Sequence, residues 1–172
     1  MELKTLSTIK NIAQLNEDGL LFGYASVFDN TDNHNDIILK GAFKNIDISK
    51  IKILWQHDPK IPIGSILSLK EDDFGLKVEI ALDLNVRKAR EAFSLVKSNA
   101  ISGLSIGFNP LDYDYNLEGK RILKKIDLWE ISLVTFPSNS YANIISTKHL
   151  APLKILTDSI TRANQILNEL SK

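Results

Sequence analysis

The sequence predicts an α+β domain that is mostly antiparallel β, a sheet or barrel with few helices. Three observations carry that prediction. Six or seven apolar runs rich in β-branched and aromatic residues are each bounded by turn residues. Only two stretches show helical spacing. The chain has 172 residues, 44% of them hydrophobic, and no cysteine, which suits one domain with a real core rather than a disulfide-stapled or disordered chain.

The elements follow in order. Leu20 to Phe28 reads LLFGYASVF and runs into the polar cluster DNTDNHND, the pattern of a strand ending in a long turn. Ile51 to Trp55, Ile63 to Leu69, Phe74 to Leu82, Ile101 to Phe108 and Ile122 to Phe136 repeat that pattern. Glu71-Asp72-Asp73 and Glu118-Gly119-Lys120 separate apolar runs as hairpin turns. Between Val86 and Ser98 the apolar residues Val86, Ala89, Phe93 and Val96 fall three and four apart, with Asn85 as N-cap and Asn99 in the left-handed position beyond the end. Leu153, Leu156, Ile160, Ala163, Leu167 and Leu170 alternate the same spacings after Pro152, predicting a C-terminal amphipathic helix. Its seam is short for a coiled coil, so packing on its own sheet and packing on a second protomer in a homo-oligomer both stay open. The working division is a domain over residues 1 to about 150 and a terminal helix over 151–172.

Charge and composition narrow the function. Twenty-one Lys and Arg balance 21 Asp and Glu, so the concentrated basic surface that displaces counterions from nucleic acid is not expected. Without cysteine there is no thiol nucleophile and no zinc–thiolate or iron–sulfur site. The opening MELKTLSTIKNIAQL lacks the unbroken apolar stretch of a signal peptide, and no run approaches the roughly 20 residues a bilayer demands. Residence in cytoplasm is the expectation, with no membrane partner and no cofactor.

Three residue types invite chemistry. Of the three histidines His34, His57 and His149, His57 follows an apolar run and precedes Asp58-Pro59. That places it at a strand end facing a cleft, as a general base, or simply in a surface turn. Gly103-Leu104-Ser105-Ile106-Gly107 fits G-x-S-x-G, the pattern of an exposed nucleophilic serine, and equally a strand that another backbone approaches closely. The strand-turn-helix context of α/β-hydrolases is missing, because Ile106, Phe108 and Pro110 continue as strand and turn. Glu130 lies in the apolar LWEISLV run, so it is either paired with a cation or histidine or points to solvent from an edge. Asp29, Asp32, His34 and Asp36 crowd one loop, but their offsets fit no EF-hand, and a solvated Asx-rich turn accounts for them.

The blocks GYASVF, DIILKGAF, LWQHDPKIPIG, GLSIGF and WEISLVTFPSN, in that order over roughly residues 20 to 145, resemble the tailed-phage prohead maturation serine proteases, a family related in fold to herpesvirus assemblin. The resemblance implies a compact β-barrel with flanking helices. It also implies a serine endopeptidase that works inside the immature capsid, in the host cytoplasm. Its implied substrates are scaffolding protein or the scaffolding segment of the major capsid protein, and the enzyme itself where it self-trims. By position, it makes His57 and Ser105 the catalytic histidine and serine. The third member follows the serine on a neighbouring strand; herpesvirus enzymes place a second histidine there, whereas this chain offers Glu130, with Asp127 and His149 as substitutes. Ser105 would then be the nucleophile, His57 the base and Glu130 its orienting carboxylate. Ser102 and Ser132 are rival serines, the latter on the same strand face as Glu130. Oxyanion donors are sought around Ser105 to Gly107 and in the loop Pro137-Ser138-Asn139.

Two rivals compete with this reading. One is a non-catalytic capsid-assembly or scaffold-binding protein on the same barrel, which requires His57 and Glu130 to lie out of hydrogen-bond reach. The other is a small-ester hydrolase using the same three residues.

Overall fold

Alternation in the sequence becomes sheet in the computed structural model, which describes residues 19–146. Eight strands form: β1 (Leu20–Val27), β2 (Asp36–Ile38), β3 (Lys52–Trp55), β4 (Asp58–Glu71), β5 (Gly75–Leu82), β6 (Gly103–Tyr115), β7 (Arg121–Val134) and β8 (Ile144–Ser146). A 3-10 turn spans Ile48–Lys50, and one α-helix, α1 (Arg87–Lys97), follows β5. In β5 the apolar alternation is direct: Leu76, Val78, Ile80 and Leu82 are buried, while Lys77 and Glu79 point away.

The strands run β2-β7-β3-β4-β5-β1-β8, and β6 pairs with β7. The sheet curls into a half-barrel. Its far end comes back to β6 through hydrogen bonds from Leu104 N–H to the Ala142 carbonyl and from Ile144 N–H to the Ser102 carbonyl. The hairpins β3–β4, β4–β5 and β6–β7 are antiparallel as expected, whereas β2 and β3 both pair parallel to β7. Strand β7 therefore links the serine hairpin to the rest of the sheet. Ile53, Ile63, Leu104, Leu123, Ile131 and Leu133 fill the interior, each contributing about 1.5–3 kcal/mol on burial.

Helix α1 lays Ala89, Ala92, Phe93 and Val96 on that interior against β4 and β5. Its N-cap is Val86, without a side-chain cap bond, and not Asn85. Asp83 instead organises the entry, its carboxylate accepting the Asn85 N–H and its carbonyl the Val86 N–H. Asn99 adopts the left-handed conformation past the helix end, with φ of 58°. The predicted hairpin turns hold too: Asp72 accepts the N–H groups of Phe74 and Gly75, and Asn116 those of Glu118 and Lys120. Among the described residues α1 is the single α-helix, fewer than the flanking helices anticipated. The helix expected over Leu153 to Leu170 lies outside the described residues. No described helix is long and apolar enough to cross a membrane.

The Asp-rich loop departs from expectation at one residue. Asp32 does form an Asx turn, its carboxylate accepting the N–H groups of His34 and Asp36, and no metal-binding cluster occurs among the described residues. Asp36, however, is buried rather than solvated and binds Arg121 through two bonds of 2.8 and 2.6 Å. The pairing of β2 with β7 sets these residues side by side. Asp36→Ala should lower the urea midpoint by an amount worth about 2 kcal/mol. That is less than a fully buried pair would lose, because part of the guanidinium still reaches water. An unchanged midpoint would show that the pair contributes nothing.

Candidate active site

The serine and the glutamate share one hairpin. In the β6–β7 register Ser105 faces Ser132 and Gly107 faces Glu130, so all four lie on one side of the sheet. Gly107 is required by a close approach. A Cβ there would stand 2.9 Å from Cγ and 3.0 Å from Cδ of Glu130, and closer still to its Oε1. The second glycine of G-x-S-x-G is thus the space into which the carboxylate folds.

The histidine arrives from a different hairpin. Trp55 pairs with Asp58 across β3–β4, leaving Gln56 and His57 as a two-residue turn with φ of 52° and 60°. Tight hairpins favour Asn-Gly at such positions. Two larger residues in the left-handed region cost about 1–2 kcal/mol each. The surroundings hold them there. Gln56 N–H bonds the Leu133 carbonyl, its side chain exchanges bonds with Thr135, and His57 N–H bonds the Ser132 hydroxyl at 3.1 Å.

This turn aims the imidazole at Glu130, with Nδ1 to Oε1 at 2.6 Å. The Glu130 side chain is only 13% exposed and that of His57 45%. The carboxylate is therefore sheltered, while the ring remains open to water and ligand. A carboxylate can only accept, so Nδ1 carries the proton and Nε2 is left as the free basic nitrogen. The hydrogen bond to Glu130 raises the His57 pKa above the ordinary 6.5, with burial acting in the opposite direction.

Ser105 and His57 line one cavity of about 350 Å³. Among the described residues no hydrogen bond joins the two side chains, an arrangement common before substrate seats. Ser138, Asn139, Asp32, His34, Asp36 and Arg121 line the cavity as well. Asn139 secures its loop: its amide bonds the Val27 carbonyl and its Oδ1 accepts from Asn30 and from Tyr141 N–H.

The remaining candidates separate clearly. Asp127 bonds the Trp129 indole rather than the histidine. Ser102 precedes β6, with its carbonyl engaged by Ile144. His149 lies outside the described residues. Ser132 is fully buried, and its hydroxyl donates to Glu130 Oε2 at 2.5 Å. In place of the rival nucleophile, Ser132 is a partner of the carboxylate, a contact signalled in the sequence by its place on the same strand face as Glu130. The non-catalytic rival needed His57 and Glu130 apart, and 2.6 Å is the opposite.

The fold is of the viral-protease type, and the constellation has the residue types of a serine hydrolase. The half-barrel matches the crystal structure of KSHV protease in complex with a hexapeptide phosphonate inhibitor with a TM-score of 0.55, at 13% identity over 76% of this chain and 65% of that one. At that identity the likeness is one of fold. In sequence, the chain is 36% identical to the prohead protease of Enterobacteria phage HK97, over 91% of this chain and 73% of the relative. It is 31% identical to the prohead protease of Escherichia phage T5, over 76% and 65% respectively, and 30% identical to a capsid polyprotein of Pseudomonas phage PAJU2, over 86% and 23%. The sequence profile of the caudovirus prohead serine proteases matches residues 6–154. The chain belongs to that family, and its activity is that of a serine endopeptidase of capsid maturation.

Proposed function

We propose that Ser105, His57 and Glu130 are the catalytic set with which this protease cuts capsid protein or scaffolding protein inside the prohead in the host cytoplasm. The observation that carries the assignment is the 2.6 Å bond between His57 Nδ1 and Glu130, made beside the cavity that Ser105 lines. His57 Nε2 takes the Ser105 proton as Oγ attacks the scissile carbonyl. The imidazolium, held by Glu130, then protonates the leaving amine as the C–N bond breaks. Water enters past the half-exposed ring and gives a proton to Nε2 as its oxygen attacks the acyl carbonyl; that proton then passes to Ser105 Oγ as the C–Oγ bond breaks, which releases the acid and restores the enzyme. The loop at Ser138 and Asn139, tied to β1 through the Asn139 side chain, supplies main-chain N–H groups to the oxyanion, each such donor contributing about 3 kcal/mol to the barrier reduction.

The capsid polyprotein relative supports capsid protein as the substrate, since there a related stretch is part of one chain named for the capsid. Co-expression with the capsid and scaffolding proteins of the same phage, with new termini read by mass spectrometry, tests the substrate. Intact partners beside a folded protease would rule it out. A peptide-to-aryl-ester rate comparison tests the small-ester alternative, which predicts the ester to be favoured.

The raised His57 pKa sets the pH response. The base works only when neutral, so kcat/KM should rise with pH through a midpoint above the ordinary 6.5. A midpoint at or below that value would mean that the Glu130 bond is not present in the working enzyme.

A further inference from the structure

The Ser132 hydroxyl has two partners, and they belong to different parts of the site. It accepts the main-chain N–H of His57 at 3.1 Å and donates to Glu130 Oε2 at 2.5 Å. The other oxygen of the same carboxylate, Oε1, meets the His57 ring. The result is a closed loop of three bonds: imidazole to carboxylate, carboxylate to hydroxyl, hydroxyl to the backbone of the histidine itself.

Two alignments produce it. On β7, residues 130 and 132 project from the same face. Parallel pairing with β3 sets Leu54 opposite Ser132, so the chain that turns at Gln56 and His57 begins beside that hydroxyl. Only a hydroxyl can accept from an N–H and donate to a carboxylate at once in so little space; alanine does neither and threonine does both. Ser132 is also wholly buried, its proton directed at Glu130, which makes it unsuited to attack a substrate.

We propose that Ser132 is a positioning residue for the hydrolysis, its hydroxyl fastening the main chain of the base to the far oxygen of the orienting carboxylate so that ring and carboxylate keep one relative geometry. The inference rests on the reading of Ser105, His57 and Glu130 as the catalytic set. It acts through His57 and Glu130 and touches no substrate.

The test uses the full chain and a fluorophosphonate probe, which reports nucleophile activation without requiring the natural substrate. Labelling of Ser105 is located by mass spectrometry and its rate followed against pH in wild type, Ser132→Ala and Ser132→Thr. In parallel, the His57 ring is titrated by NMR, its signal assigned by its loss in His57→Gln. The expected result is that Ser132→Ala labels at least about tenfold more slowly, a part of the 10²–10⁴ that a well-placed base provides. Its His57 midpoint should move down toward the ordinary value, and Ser132→Thr should restore both. Asp32, His34, Asp36 and Arg121, the other ionisable groups on the cavity wall, are the same in all three proteins and so do not account for a shift.

Wild-type rate and midpoint in Ser132→Ala would overturn the proposal. A slower rate with an unmoved midpoint would overturn it as well, since that is the signature of a general loss of folded protein. Wild-type protein that does not label at Ser105 would instead overturn the catalytic assignment, and the role of Ser132 with it.

Discussion

Ser105→Ala should abolish cleavage of co-expressed capsid protein, on the order of a 10⁴-fold loss or more, because removing the nucleophile leaves only the binding and oxyanion contributions. The same substitution should leave thermal stability within about 1 kcal/mol of wild type. Ser105 is buried in a strand whose ladder bonds to β7 come from the backbone and are untouched by the change. Activity and stability therefore separate in this variant. Capsid protein that is still processed at the normal site would take Ser105 out of the mechanism, whatever the fate of the other two residues.

Gly107→Ala should also slow the enzyme severely, though less than loss of the serine, and without replacing any of the three proposed catalytic residues. The added methyl requires space now held by Glu130, and the atoms in its way belong to a movable side chain rather than to backbone. The strand survives while the carboxylate swings aside, and the 2.6 Å bond to His57 is lost. We expect a rate loss of about 10²-fold or more, short of the roughly 10⁴-fold that follows outright loss of the orienting carboxylate in serine proteases, because Glu130 is displaced here and not removed. The His57 titration should fall toward its ordinary value, and melting should change only slightly. Full activity in this variant would show that Glu130 is not needed where it stands. A large drop in melting temperature would show that the methyl displaces the sheet instead.

Much of this architecture is legible in the residues themselves. The long strands announce themselves by alternation, as in Leu76 to Leu82, and α1 by the spacing of Ala89, Phe93 and Val96. The three-residue strands β2 and β8 are not legible, because so short a segment becomes a strand only through its neighbour, β7 for one and β1 for the other. The prolines at 59 and 62 hide the beginning of β4, and Pro110 hides the continuation of β6 to Tyr115, where the pairing with β7 slips by a residue. Pro62 is tolerated where the register of β4 against β3 also shifts.

The candidate site divides the same way. Ser105 and Glu130 stand out by local pattern, a serine between glycines and an acid among apolar residues. That one glycine exists to admit the acid depends on the register of β6 against β7, which no local pattern reports. The contact between Ser132 and the His57 backbone depends on the parallel pairing of β3 with β7, and Asp36 is buried because β2 meets Arg121. In each case the missing information was long-range pairing.

That pairing also fixes when the enzyme becomes dangerous to its surroundings. The β6–β7 hairpin brings the proposed nucleophile Ser105 and the acid Glu130 together locally, but His57 joins them only when residues 52–55 dock alongside residues 130–133. Contacts so distant along the chain form slowly and late. A nascent or half-collapsed polypeptide thus holds two of the three proposed working parts in hand and the third out of reach, a latency set by the order in which strands dock.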